Sequence, residues 1–240
     1  MPHRSRHAEI YARSLAQPDE FWAEAAEAIT WERRWDLVCD ASRAPFYQWF
    51  AGAQLNVCHN ALDRHVEAGH GERAALIYDS PVTGVCTTYS YAELLDLTAR
   101  FAGALRSLGV VTGDRVLIYM PMVPEAVIAM LACARLGAIH SVVFGGFASA
   151  ELATRIDDAQ PRVIVSASCG MEIQRVVPYK PLLDAAIAQA THKPEACVIL
   201  QRPMLEADLQ PGRDHDFGAL MVTARPAACV PVDAGHPLYI

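Results

Sequence analysis

The chain has 240 residues, 52% of them hydrophobic and 20% charged, which suits one large domain or two small ones with a sizeable core. A net charge of −7 without any lysine- and arginine-rich stripe argues against a nucleic-acid partner, and no apolar run reaches the roughly 18 residues of a membrane span. Small-molecule substrates are the expected partners, with no nucleic acid and no membrane. Seven scattered cysteines without a CxxC pair suggest neither a disulfide framework nor a zinc knuckle. Together with a polar start that lacks an apolar signal core, they point to a reducing, cytoplasmic setting.

Residues 1–72 carry all four tryptophans, Trp22, Trp31, Trp35 and Trp49, and little strand alternation, so they read as packed helices with the indoles as anchors. Pro18-Asp19-Glu20 signals a helix start, and Phe21, Ala25 and Ile29 fall on one helical face. Cys58, His59, His65 and His70 lie close in sequence but match no common metal spacing, which favours a structural or surface role. Residues 75–78 and 86–89 then read as two strands joined by a turn over 80–84. Ser90 and Glu93 form a capping box for a helix with Leu94, Leu95, Phe101, Leu105 and Leu108 on one side, closed by Gly109.

The run from Val116 to Phe147 is the most telling. A strand over 116–120, a helix over 125–136 stopped by Gly137, and a strand over 139–144 make a βαβ unit that ends in Gly145-Gly146. The alternation continues with a helix over 149–158, a strand over 163–166, a helix over 181–190 and a strand over 197–200, which implies a parallel sheet. Beyond Gln201 the signal fades, and Leu238-Tyr239-Ile240 reads as the first half of a strand. The expected fold class is α/β: a helical leader over 1–72, then over 73–240 the first part of a doubly wound, mostly parallel sheet flanked by helices.

The Phe144-Gly145-Gly146-Phe147 turn sits where open parallel sheets bind ligands, and its glycines allow close backbone approach. It is neither a G-x-G-x-x-G nor a Walker motif, so ligand contact and a merely tight turn are equally good readings. Arg175 and Lys180 flank 176–179, where a cation could meet an anionic ligand, although solvated surface charge is the favoured alternative. No G-x-S-x-G elbow occurs, and Ser141 beside His140 points to the opposite face, so neither a catalytic dyad nor a metal site is read.

At these residues the chain resembles the amino-terminal part of the AMP-forming short-chain acyl-CoA synthetases, in the adenylate-forming superfamily. The resemblance rests on Phe21-Trp22, Trp31, Trp49-Phe50, Leu55-Asn56 and Asn60-Ala61-Leu62-Asp63-Arg64-His65, then on Tyr119-Met120-Pro121-Met122 through Phe147 and on Arg155-Ile156-Asp157-Asp158. The stretch from Ile77 to Thr83 and Phe147-Ala148-Ser149 are more similar to the propionyl than to the acetyl branch. The family joins a carboxylate to ATP, releasing pyrophosphate, and then lets the thiol of CoA displace AMP. A carboxylate is a poor electrophile, whereas AMP leaves well once magnesium and fixed cations stabilise its charge.

The resemblance implies contacts with CoA, the co-substrate: Phe144 against the adenine, Gly145 and Gly146 at the adjoining turn, and Glu172, Ile173, Gln174 and Arg175 at the nucleotide end. Acetyl enzymes carry an arginine where Glu172 stands, and Ile173-Gln174 replaces the Pro-Gly of propionyl relatives. In the family the phosphate loop follows directly after the point matched by Ile240, and the acyl pocket and adenylation lysine come later. The residues for ATP and Mg are therefore expected to be absent here. The chain alone is expected to be an inactive, incomplete adenylate-forming domain that self-associates through an open sheet edge. A non-catalytic CoA-binding or interaction module is the rival reading, and a flavodoxin-like nucleotide binder a weaker one.

Overall fold

The computed structural model describes residues 6–146, 148–172 and 175–240, with Phe144 described by its backbone alone. The chain forms two compact units, one made of the residues up to Asn56 with Pro231–His236, the other of Val57–Val230 with Pro237–Ile240.

The first unit opens with helices α1 (Arg6–Ala16) and α2 (Pro18–Ala26). Pro18 begins α2 and Asp19 and Glu20 occupy its first turn, where a fixed φ and negative charge both favour a helix start. The expected apolar face is shifted: α2 buries Ala26, whereas Ala25 and Ile29 are exposed and the helix stops before Ile29. The helical leader also gives way earlier than expected. Residues 37–55 hold strands β1 (Leu37–Asp40), β2 (Gln48–Ala51) and β3 (Gln54–Leu55), with β1 and β2 antiparallel. Trp49 and Phe50 suit a half-buried strand better than a helix.

The rings of Trp31, Trp35 and Phe50 meet at centroid distances of 5.2 to 5.3 Å, and Trp22 meets Trp49 edge-on at 6.2 Å. Trp22 and Trp49 stay 43% and 40% exposed, so they roof this unit rather than fill a sealed core. Gly52 turns the chain between β2 and β3 at φ 81°, where any Cβ would also strike the Asp36 carboxylate.

The second unit starts with two π-helical turns, His59–Asp63 and Val66–His70, and an antiparallel hairpin of β4 (Ala74–Ser80) and β5 (Val85–Ser90). Helix α3 (Tyr91–Ser107) carries the expected capping box: Ser90 Oγ accepts from the Glu93 amide at 3.2 Å, and the Glu93 carboxylate accepts from the Ser90 amide at 2.8 Å. Then follow β6 (Arg115–Met120), α4 (Pro124–Leu136), β7 (Ile139–Phe144), α5 (Ser149–Ala159) and β8 (Val163–Ala167). After them come β9 (Cys169–Glu172), β10 (Arg175–Pro178), α6 (Tyr179–Gln189), β11 (Ala196–Leu200), β12 (Asp214–Asp216) and α7 (Phe217–Thr223). The last strand, β13 (Val232–Asp233), belongs to the first unit, where it pairs antiparallel with β3.

The central sheet runs β12-β11-β8-β6-β7, and every neighbouring pair is parallel. Alternate residues of its strands enter two cores. Val116, Ile118, Val163, Val165 and Val198 pack with α3, α4 and α7, while Leu117, Tyr119, Ile164, Cys197 and Ile199 pack with α5 and α6. Helices on both faces make this the doubly wound α/β fold that the alternation implied. The connection after β6 crosses one face and those after β7 and β8 cross the other, so the carboxyl end of β6 borders a topological switch point. At the outer edge of β7, the His140 amide donates to the Leu238 carbonyl and the Ile240 amide donates to the His140 carbonyl, an isolated parallel bridge.

Candidate functional site

The two segments singled out for ligand contact come together at this switch-point end of the sheet. Phe144 closes β7, in register with Met120 of β6, and Gly145-Gly146 form the turn that follows. Glu172 ends β9 and Arg175 begins β10, directly opposite each other in a hairpin inserted after β8. Ile173 and Gln174 lie outside the described residues, as does Phe147.

What joins the turn to the hairpin is Tyr179, the first residue of α6. A Cβ at Gly145 would stand 2.4 Å from the Tyr179 hydroxyl, and a Cβ at Gly170 on β9 would stand 2.5 Å from it and 2.6 Å from the ring. Glycine is needed at both places because the phenol lies directly on the backbone. The ring of Tyr179 also stacks on Tyr119 of β6 with centroids 5.0 Å apart. Burial raises both phenols, Tyr119 to about 12, so both stay protonated at neutral pH and serve as packing.

Ser168, between β8 and β9, fixes the hairpin to the sheet. Its amide donates to Leu200 at 2.9 Å, its carbonyl accepts from Tyr179 at 3.0 Å, and its hydroxyl accepts from the Arg202 amide at 2.9 Å. The Arg202 guanidinium in turn donates to the Cys169 carbonyl at 3.1 Å.

Where β10 meets α6, Arg175, Val176, Val177, Pro178, Pro181 and Leu182 line a shallow open groove of about 290 Å³. Its floor is apolar and its one charge is Arg175, whose side chain is 77% exposed and reaches Glu172 at 3.2 Å. Lys180, read with Arg175 as a candidate cation, has a different place. Its side chain is only 6% exposed, and its ammonium pairs with Asp184 at 2.5 Å and Asp214 at 2.9 Å, both of which Arg213 also holds. Lys180 thus belongs to a buried ionic cluster that fixes α6 to β12. The exposed guanidinium beside an apolar shelf suits an anion attached to a flat or apolar body.

Cys58 does not gather the nearby histidines. Its thiol lies instead among Asp63, Arg135 and Cys229, on the α3–α4 side of the sheet. Tyr179, Gly170 and Ser168 escaped sequence reading, because a glycine that makes room for a distant ring looks like any other glycine in a strand.

A family model described as AMP-binding enzyme matches residues 62–240, and one described as acetyl-coenzyme A synthetase N-terminus matches residues 7–61. The mitochondrial acyl-CoA synthetase short-chain family member 3 of Rattus norvegicus is 50% identical over 96% of this chain and 34% of its own length. The propionate–CoA ligase of Escherichia coli strain K12 is 49% identical over 88% of this chain and 34% of its own. The solved acetoacetyl-CoA synthetase from Streptomyces lividans superposes with a TM-score of 0.87 at 25% identity, covering 99% of this chain and 36% of that one. The chain thus spans about a third of the length of the curated relatives it matches. With the family model covering the parallel sheet and its switch-point turn, the chain belongs to the AMP-binding enzyme family.

Proposed function

We propose that these residues supply the CoA-facing portion of an AMP-forming short-chain acyl-CoA ligase, which converts propionate or acetate, ATP and CoA to acyl-CoA, AMP and pyrophosphate. On this reading residues 1–72 are the leader and residues 73–240 the first half of the AMP-binding α/β domain. Phe144, Gly145, Gly146 and Glu172 to Arg175 face CoA, and ATP with its magnesium is held by other parts of the ligase. The observation that carries the reading is the convergence of the Gly145-Gly146 turn and the Glu172–Arg175 hairpin on Tyr179. A single edge then joins a turn packed by Tyr179 to an exposed guanidinium that can meet a phosphate. The reading places the ligase in the cytoplasm, in keeping with seven free cysteines.

CoA titration of the 240-residue chain, paired with ATP–pyrophosphate exchange in the presence of propionate and of acetate, tests it. Saturable CoA binding that weakens about tenfold or more in Arg175→Ala, without exchange, is the expected result, since loss of a charge-assisted phosphate contact costs about 1.5–3 kcal/mol. CoA binding indifferent to Arg175, or exchange above background, contradicts this division of labour.

A further inference from the structure

Away from the proposed CoA edge, the other core holds a second group of reactive side chains. After α7 the chain passes over α3 and α4 as a strap over residues 224–230. The Ala227 amide donates to the Ala99 carbonyl at 2.8 Å, and Arg135 of α4 donates through Nε to the Ala227 carbonyl at 2.6 Å. The strap lies so close to α3 that a Cβ at Gly103 would meet the Arg225 carbonyl oxygen at 1.8 Å. It brings Cys229 beside Cys58, 171 positions earlier, at the head of the π-helical segment.

The Sγ atoms of Cys58 and Cys229 and a carboxylate oxygen of Asp63 all lie within 4.8 Å of one another. Cys229 Sγ lies 3.7 Å from Asp63 Oδ2. Arg135 donates through Nη1 to Cys58 Sγ at 3.5 Å, and through Nη1 and Nη2 to Asp63 at 2.8 and 3.0 Å. Cys58 is fully buried and its neighbour Cys229 half-buried, so a small peroxide would approach Cys58 from the Cys229 side.

We propose that Cys58 and Cys229 form a reversible peroxide-sensitive dithiol, with Cys58 the attacking sulfur, Cys229 the resolving one and Arg135 the fixed cation beside the first. The hydrogen bond from Cys229, and next the Arg135 guanidinium, hold the Cys58 thiol below its ordinary range in spite of burial, while the same bond and burial push the Cys229 thiol up. The Cys58 thiolate attacks one oxygen of a hydroperoxide. The O–O bond breaks, the sulfur loses two electrons, and the departing oxygen takes a proton and leaves as water or an alcohol. The sulfur of Cys229 then attacks the sulfenic acid on Cys58, forming the S–S bond and releasing water, with the Cys229 proton taken up by the leaving hydroxide. Crosslinking draws the two sulfurs, now within 4.8 Å, to the bonding distance of about 2.05 Å. Arg135 already supplies positive charge at this spot, which favours a thiolate and opposes a divalent cation.

The test is hydrogen peroxide treatment of the folded chain, followed by unfolding, alkylation of the remaining thiols and peptide mapping. The expected result is one crosslinked species joining the Cys58 and Cys229 peptides, with two of the seven thiols lost and both restored by a reductant. In Cys229→Ser the crosslink disappears and Cys58 is trapped as a sulfenic acid by a dimedone-type probe. In Cys58→Ser the oxidation of Cys229 slows by at least about tenfold, because the low-pKa sulfur is gone. Oxidation of the exposed Cys86 while Cys58 and Cys229 remain thiols overturns the proposal, as does undiminished oxidation of Cys229 in Cys58→Ser. Shielding of both thiols from alkylation by one equivalent of zinc also overturns it, making the group a metal site.

Discussion

The hydroxyl of Tyr179 lies against the Gly145 backbone so closely that a Cβ there would sit 2.4 Å away, while the ring carbons would stay 3.0 Å off. At Gly170 the conflict involves the ring itself, with two ring carbons at 2.6 Å. Alanine at either glycine should cost about 1–3 kcal/mol, as overpacking does in a filled core. The two differ in rescue. Tyr179→Phe should restore most of the stability lost by Gly145→Ala and little of that lost by Gly170→Ala. Urea unfolding of the three single and two double variants reads this directly, and equal rescue of both would contradict the geometry.

The buried pair of Arg135 and Asp63 has side chains 8% and 15% exposed and fixes the strap to α4. Burial opposes the charge on Arg135, but the hydrogen bonds to Asp63 and Cys58 outweigh it, so the guanidinium is held charged. Removing one partner strands the other, so Arg135→Met should destabilise the fold by about 3–5 kcal/mol. Arg135→Lys should not recover it, because an ammonium cannot reach Asp63 in a two-pronged fashion and the Ala227 carbonyl at once. Arg135→Met/Asp63→Leu should be more stable than Arg135→Met alone.

His140 on β7 is buried, and its Nδ1 has no hydrogen-bond partner among the described residues. Burial lowers its pKa below the ordinary 6.5. The unfolded chain therefore takes up the proton first as pH falls, so the stability that the neutral imidazole contributes is complete above about pH 6.5 and drains away below it. The thermal midpoint should fall between pH 7 and pH 5 more steeply in the parent than in His140→Phe. Parallel pH profiles would remove His140 as the cause.

The outer edge of β7 carries Val142, which is 51% exposed, and among the described residues it pairs only around His140, with the final residues. An open apolar edge of a parallel sheet recruits further strands. Light scattering at micromolar concentration should give a mass above the 26.2 kDa of one chain, and Val142→Lys should shift it toward the monomer. A monodisperse parent with cooperative unfolding would count against self-association through this edge.

The sheet was legible because its strands are short runs of Val, Ile and Leu between helices with clear stops. The strand over Ile139–Phe144 lies where the apolar run placed it, and Gly137 ends α4 in the left-handed conformation at φ 68°. The β9–β10 hairpin and β12 were not. Cys169-Gly170-Met171-Glu172 has no alternation, and Asp214-His215-Asp216 is polar because Asp214 closes an ion cluster with Lys180 and Arg213. The aromatic stretch over 37–55 misled in the opposite sense, since rings that cluster across a hairpin leave no helical or strand period. Of the candidate site, the glycine turn and Arg175 could be named in advance, whereas Tyr179, which joins them, could not. Lys180 read as a free cation because its acidic partners lie 4 and 34 positions away, the second across the sheet.

Ser168 gives the hairpin a mechanical character. With no loop between β8 and β9, all three of its polar groups are tied to Leu200, Tyr179 and Arg202, and its side chain is fully buried. Such an insertion behaves as a stiff bracket rather than a flap, and force applied at Arg175 passes straight into the middle of the sheet. Amide exchange at Tyr179 and Arg202 should then be as slow as in β8 itself, and a ligand that grips the bracket stiffens a frame that is already rigid.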